Sequence, residues 1–199
     1  LLCKILRSIP GVIISNVSFP KKLEKEIISD KSSCSLMLPY LFNSLKQLED
    51  AGADFIILPC NTLNSLLPKL REKTFLPFLD LVEETNKEIK KYNKVGILAT
   101  SKTIDIGLYN QKGEENKVVY PDKEVQERIS KVILKIISGK HSLNDKIFLE
   151  EVIDNFRIVG CEKVILACTD LANILEKNDF IIDTQDILIK SILRRMKDL

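Results

Sequence analysis

Two phrases in the sequence set a thiol among small hydrogen-bonding residues: Pro59-Cys60-Asn61-Thr62 and Ala167-Cys168-Thr169-Asp170. Each follows an unbroken apolar run, Phe55-Ile56-Ile57-Leu58 in one case and Val164-Ile165-Leu166-Ala167 in the other. Apolar runs without polar alternation read as strands covered on both faces, as in parallel sheets. Ligands of such sheets bind beyond the carboxyl ends of strands, beside the following helix N-terminus, and both cysteines are expected there. The positive end of a helix dipole would lower a thiol pKa from about 8.5 and favour the thiolate. Asn61, Thr62, Thr169 and Asp170 place amide, hydroxyl and carboxylate groups beside the two sulfurs. Helix-start N–H groups could hold a substrate carboxylate. A lone cysteine at a strand end is more often a small core residue. Two in equivalent contexts favour chemistry, whereas Cys3, Cys34 and Cys161 lack that context and read as structural.

The elements that must position these residues alternate along the chain. Strands are expected at 54–58 and 163–167, before the cysteines, and also at 12–16, 78–81, 94–100, 117–120 and 180–183. Amphipathic stretches at helical spacing lie at about 35–51, 62–72, 82–91, 103–110, 123–138, 144–158, 169–177 and 185–198. Alternation of this kind implies βα units and a mostly parallel sheet. Ala51-Gly52-Ala53-Asp54 and Val159-Gly160-Cys161-Glu162 precede the two cysteine-bearing strands, each glycine suited to a left-handed helix cap. Helix, glycine, strand, cysteine and helix therefore recur as an internal echo.

Composition narrows the function classes. The 199 residues are 45% hydrophobic and 29% charged, with a formal net charge of +2, the balance of an ordinary globular protein. No long block of one sign calls for nucleic acid or a membrane surface as partner. No apolar run approaches the ~18–20 residues that span a bilayer, and Lys4 and Arg7 break the opening segment, so a cytoplasmic location is expected. Five cysteines, an odd number without C-x-x-C spacing, and the single His141 argue against a disulfide framework and against zinc. No metal is expected, and no Gly-rich phosphate loop calls for a nucleotide.

The paired cysteine phrases resemble the signatures of the cofactor-independent aspartate/glutamate racemase family. Supporting resemblance comes from Ser15-Asn16, Phe19-Pro20, Val82-Glu83-Glu84-Thr85, Val95-Gly96-Ile97-Leu98-Ala99-Thr100 and Asp183-Thr184, in the family's order. The resemblance implies an α/β protein of two pseudo-symmetric lobes, each a mostly parallel sheet flanked by helices, with the active site between them. Residues 1–90 and 183–199 would form the lobe carrying Cys60, and residues 91–182 the lobe carrying Cys168. It further implies racemisation of aspartate or glutamate without pyridoxal phosphate, Cys60 and Cys168 exchanging the α-proton from opposite faces. Inversion of a stereocentre does need two acid/base groups on opposite sides of the carbon. Asn61, Thr62, Thr100, Thr103, Thr169, Asp170, Asn16 and Lys22 become the expected substrate-binding residues, the substrate a small acidic amino acid, and the assembly a homodimer.

The sequence also departs from the family. Its first expected strand corresponds to the family's second, so an N-terminal strand and Gly-rich loop are expected to be lacking. Lys22 stands where aspartate-preferring members carry Arg, Asp170 where Glu is usual, and Lys102 where Gly is common. Lysine keeps the charge of arginine but loses its bidentate fork. Two alternatives stay open: a related hydantoin racemase or maleate isomerase type of enzyme, and an impaired relative that binds a small carboxylate without turning it over.

Overall fold

The computed structural model describes residues 11–29, 31–110 and 117–197. Two parallel sheets flanked by helices make up the fold. The larger has four strands in the order β4-β3-β5-β6: Val118–Val119 (β4), Val95–Ala99 (β3), Lys163–Ala167 (β5) and Ile181–Asp183 (β6). The smaller pairs Ile56–Ile57 (β1) with Phe78–Leu79 (β2). The helices are Lys21–Ile28 (α1), Leu38–Asp50 (α2), Asn61–Asn64 (α3), Leu67–Arg71 (α4), Leu81–Ile89 (α5), Ser101–Asp105 (α6), Lys123–Ile137 (α7), Leu143–Ile158 (α8) and Thr184–Lys197 (α9).

β3 and β5 are covered on both faces, as their unbroken apolar runs require. Leu98, Val164 and Leu166 face Ile129, Ile133, Leu149 and Phe156 of α7 and α8. Ile97, Ala99, Ile165 and Ala167 face Ile89 and Tyr109. Local signals set the flanking helices. Asp122 caps α7, Ser142 and Asp145 form a capping box on α8, and Gly160 (φ 84°) ends α8 in the left-handed region. Gly52 (φ 77°) does the same after α2, so the two glycine phrases match in structure as in sequence. α9 returns to α5, where Ser191 Oγ (2.5 Å) and Arg194 Nη2 (2.9 Å) donate to Glu84 Oε2.

Four expectations are corrected. Residues 12–16 form no strand; Val12 and Ile14 are 75% and 83% exposed. β-Branched content makes a strand only where a ladder partner exists. In the larger sheet the strand preceding Thr100, β3, lies between β4 and β5, but among the described residues nothing holds the matching place beside β1. The helix expected at 62–72 breaks into α3 and α4, with Pro68 opening the second. The one expected at 169–177 is reduced to a 3₁₀ turn, Leu171–Asn173, with no side-chain cap. At 103–110 the helix stops at Asp105, and Gly107 (φ 67°) turns the chain.

Close packing of α8 on the sheet rests on Gly96, where an added Cβ would lie 2.5 Å from the Phe156 ring. Gly96→Ala is therefore expected to destabilise the chain by ~1–3 kcal/mol through overpacking. Urea unfolding measures this; an unchanged midpoint would mean that the ring has room to retreat.

Candidate active site

The register of β3 and β5 pairs Ala99 with Ala167, so the next residues, Thr100 and Cys168, leave adjacent strands side by side at their carboxyl ends. Cys60 leaves the carboxyl end of β1 and caps α3. Its backbone is clamped by Asn64, whose Nδ2 donates to the carbonyls of Leu58 (2.8 Å) and Cys60 (2.7 Å).

Two hydrogen-bonded groups tie the Cys60 turn to the larger sheet. Thr62, Thr100 and Thr103 form a buried triangle of hydroxyls, with Oγ1 separations of 3.1 Å (62–100), 2.8 Å (62–103) and 3.0 Å (100–103). Thr100 Oγ1 also caps α6 by accepting from the Thr103 N–H. Asn61 Nδ2 donates to Thr184 Oγ1 (3.1 Å), which donates to the Leu166 carbonyl (2.9 Å), while the Tyr109 hydroxyl donates to Asn61 Oδ1. On the other side, the Cys168 thiol points toward Asp170 Oδ2 at 3.9 Å, and Gln185 Nε2 donates to the Thr169 carbonyl.

Of the ten residues singled out by sequence, eight fall into this arrangement: Cys60, Asn61, Thr62, Thr100, Thr103, Cys168, Thr169 and Asp170. The other two do not. Lys22 extends into solvent, its side chain 89% exposed and 3.9 Å from Glu26 one turn along α1. Asn16 lines a cavity of about 290 Å³ with Ser15, Tyr40, Asn43 and Gln47, a lining that includes neither Cys60 nor Cys168. Sequence reasoning missed Tyr109 and Asn64 and gave Thr184 no role. The available signal was weak: a tyrosine within an apolar core needs a partner for its hydroxyl. Cys34 and Cys161 are buried, and Cys3 lies outside the described residues. Among the described residues no cluster of His, Cys, Asp and Glu could hold a metal ion.

The electrostatics run against the expected helix-dipole effect. Burial pushes the Cys60 thiol up to about 11, with Asp170 and Cys34 adding to the rise against the N–H groups of Leu63 and Thr62. Burial and then the charge of Asp170 push Cys168 up to about 12, with Cys60 contributing too. The cause is plain in the elements: α3 has four residues and only a 3₁₀ turn follows Cys168, so little dipole opposes desolvation. Asp170 is itself raised by burial, against the hydrogen bond from Cys168. At neutral pH the site therefore holds a pair of thiols, and Cys60 adds to the rise at Cys168.

Alkylation should follow from this. Peptide-resolved iodoacetamide rates at Cys60 and Cys168 are expected to climb about tenfold per pH unit from pH 7 to 9.5 without levelling, because only the thiolate reacts. A plateau near pH 8.5, as for a free cysteine, would contradict the desolvated site.

Comparison with known proteins agrees with this architecture. The sequence pattern of the family described as Asp/Glu/Hydantoin racemase matches residues 6–192. The chain is 28% identical over 188 residues to the broad specificity amino-acid racemase RacX of Bacillus subtilis (strain 168), covering 92% of this chain and 80% of that one. An aspartate racemase homologue from Pyrococcus horikoshii OT3 superimposes with a TM-score of 0.68 at 25% identity, over 87% of this chain and 80% of the other. The aspartate racemase of Picrophilus torridus gives a TM-score of 0.68 at 22% identity, over 86% and 74% of the two chains. With the family pattern running through both cysteine turns and nearly the whole length, this chain belongs to the Asp/Glu/hydantoin racemase family.

Proposed function

We propose that the chain is an amino-acid racemase that interconverts L- and D-aspartate, or glutamate, by proton transfer between Cys60 and Cys168 without a cofactor. The observation that carries this reading is that each thiol follows the carboxyl end of a parallel strand, Cys60 acts electrostatically on Cys168, and buried amide and hydroxyl groups tie the Cys60 turn to the larger sheet. In one direction a thiolate removes the α-proton: the Cα–H bond breaks and an S–H bond forms. The opposite thiol then gives its proton to the other face of the carbanion, so the two sulfurs exchange protonation states. Asn61, Thr62, Thr100, Thr103 and Thr169 are the donors assigned to the α-carboxylate, where negative charge grows as the proton leaves.

Burial leaves both thiols protonated, yet the reaction needs one thiolate. The α-ammonium of a bound amino acid supplies the missing positive charge, and an opposite charge within a few ångströms lowers a thiol pKa, so that one thiol releases its proton to water on binding. In this reading Asp170 acts as the acceptor that orients the Cys168 thiol. Lys22 and Asn16 are left out of it. The lobes are taken as 1–90 with 183–199, and 91–182; the protein is taken as a cytoplasmic homodimer whose partner is a small acidic amino acid. No described helix is long and apolar enough to cross a membrane. An impaired, carboxylate-binding relative is the second reading, and the protonated state of both thiols favours it.

The deciding experiment follows α-proton exchange in D₂O by NMR for D- and L-aspartate and D- and L-glutamate, with Cys60→Ala and Cys168→Ala beside the parent. Each substitution is expected to lower racemisation by at least ~10²-fold, the usual contribution of a positioned acid or base. Residual exchange would then be confined to one enantiomer, opposite for the two variants. Exchange indifferent to both substitutions would end the two-thiol reading. Binding of aspartate without exchange would favour the second reading, and exchange only of a hydantoin would move the chain to that branch of the family.

A further inference from the structure

Tyr109 lies at the turn after α6 and is fully buried, with the Thr85 hydroxyl also against its oxygen. Its hydroxyl meets Asn61 Oδ1 and begins a chain of hydrogen bonds that ends on a backbone carbonyl of β5. Donor counting fixes every proton in that chain. The Leu166 carbonyl can only accept, so Thr184 spends its one proton there. Thr184 Oγ1 must then accept from Asn61 Nδ2, which turns Asn61 Oδ1 toward Tyr109, and Tyr109 must donate. Flipping the carboxamide would set Asn61 Oδ1 against a threonine oxygen with no proton left to give. The arrangement admits one orientation of Asn61, and of its two amide protons one is used by Thr184.

We propose that Tyr109 is a positioning residue for the reaction, holding the Asn61 carboxamide so that its second N–H stays turned to the substrate beside Cys60. The inference rests on the proposed function, in which Asn61 binds the α-carboxylate. Tyr109 touches no reacting atom; it acts through Asn61. Its position also makes the Cys60 turn depend on β5, because Leu166 lies two residues before Cys168. One strut therefore sets Asn61 against the strand end that carries the opposite thiol.

The test has two readouts on the full chain. Tyr109→Phe keeps the ring and removes the donor. In ¹⁵N-edited NMR the Asn61 side-chain NH₂ pair, assigned by its loss in Asn61→Ala, is expected to be sharp and slow to exchange in the parent. It should broaden and exchange faster in Tyr109→Phe. α-Proton exchange is then measured for the parent, Tyr109→Phe, Asn61→Ala and the double variant. Tyr109→Phe should cost about tenfold on the parent, the size of one lost buried hydrogen bond. On the Asn61→Ala background it should cost less than about twofold, since the group it serves is gone.

An equal cost on both backgrounds would overturn the proposal and leave Tyr109 a core residue only. An Asn61 amide that keeps its sharpness and exchange rate in Tyr109→Phe would overturn it as well. A protected amide in a parent that exchanges no tested amino acid would leave the orientation of Asn61 standing and remove the catalytic purpose, which is a failure of the proposed function instead.

Discussion

Everything at the candidate site hangs on the in-register parallel pairing of β3 with β5. Both strands are sealed between helices on their two faces, so neither can slide by one residue without driving apolar side chains from one core into the other. That constraint puts Thr100 and Cys168 next to each other at the strand ends. The Cys60 turn carries only two paired strand residues behind it and borrows its position from this rigid edge. Thr62 reaches Thr100 and Thr103, while Asn61 reaches Thr184 and, through it, Leu166. The smaller sheet supplies a thiol, and the larger sheet decides where the turn bearing it lies.

This dependence explains which parts were legible in the sequence. Val95–Ala99 and Lys163–Ala167 announce themselves because a strand buried on both faces must be apolar throughout. The glycines at 52 and 160 announce helix ends because only glycine takes positive φ without penalty. The cysteine phrases stood out through repetition. Eight of the ten chosen residues come together because they lie within five positions of a strand end, where topology alone brings them near. Lys22 and Asn16 were chosen by resemblance to segments whose placement depends on more than local spacing.

What the sequence did not reveal is long-range. Tyr109 finds Asn61 across 48 positions and Asn61 finds Thr184 across 123, and no periodicity encodes such partners. The unpaired segment at 12–16 is the opposite failure. Its composition is that of a strand, but pairing is a property of two segments, and the ladder position beside β1 has no occupant among the described residues. The sign of the thiol shift was also out of reach, because spacing shows where a helix begins but not how short it will be or how deeply its cap is buried.

The chemistry of the site follows from its charge state. Both thiols hold their protons, and the Tyr109 phenol, raised far above its ordinary value chiefly by burial, holds its own at any working pH. The three threonine hydroxyls can satisfy one another around their triangle, each giving one proton and receiving another. Asp170 sets a carboxylate 3.9 Å from the Cys168 thiol, and burial raises it too. Under the proposed function the charge therefore arrives with the ligand. A zwitterion brings a carboxylate, which can open the hydroxyl triangle and take the spare Asn61 proton, and an ammonium, which lowers the thiols. A neutral molecule of the same shape would do neither. Selection for amino acids would then lie in the transition from closed, protonated groups to one thiolate facing one thiol, before any contact with the side chain is made.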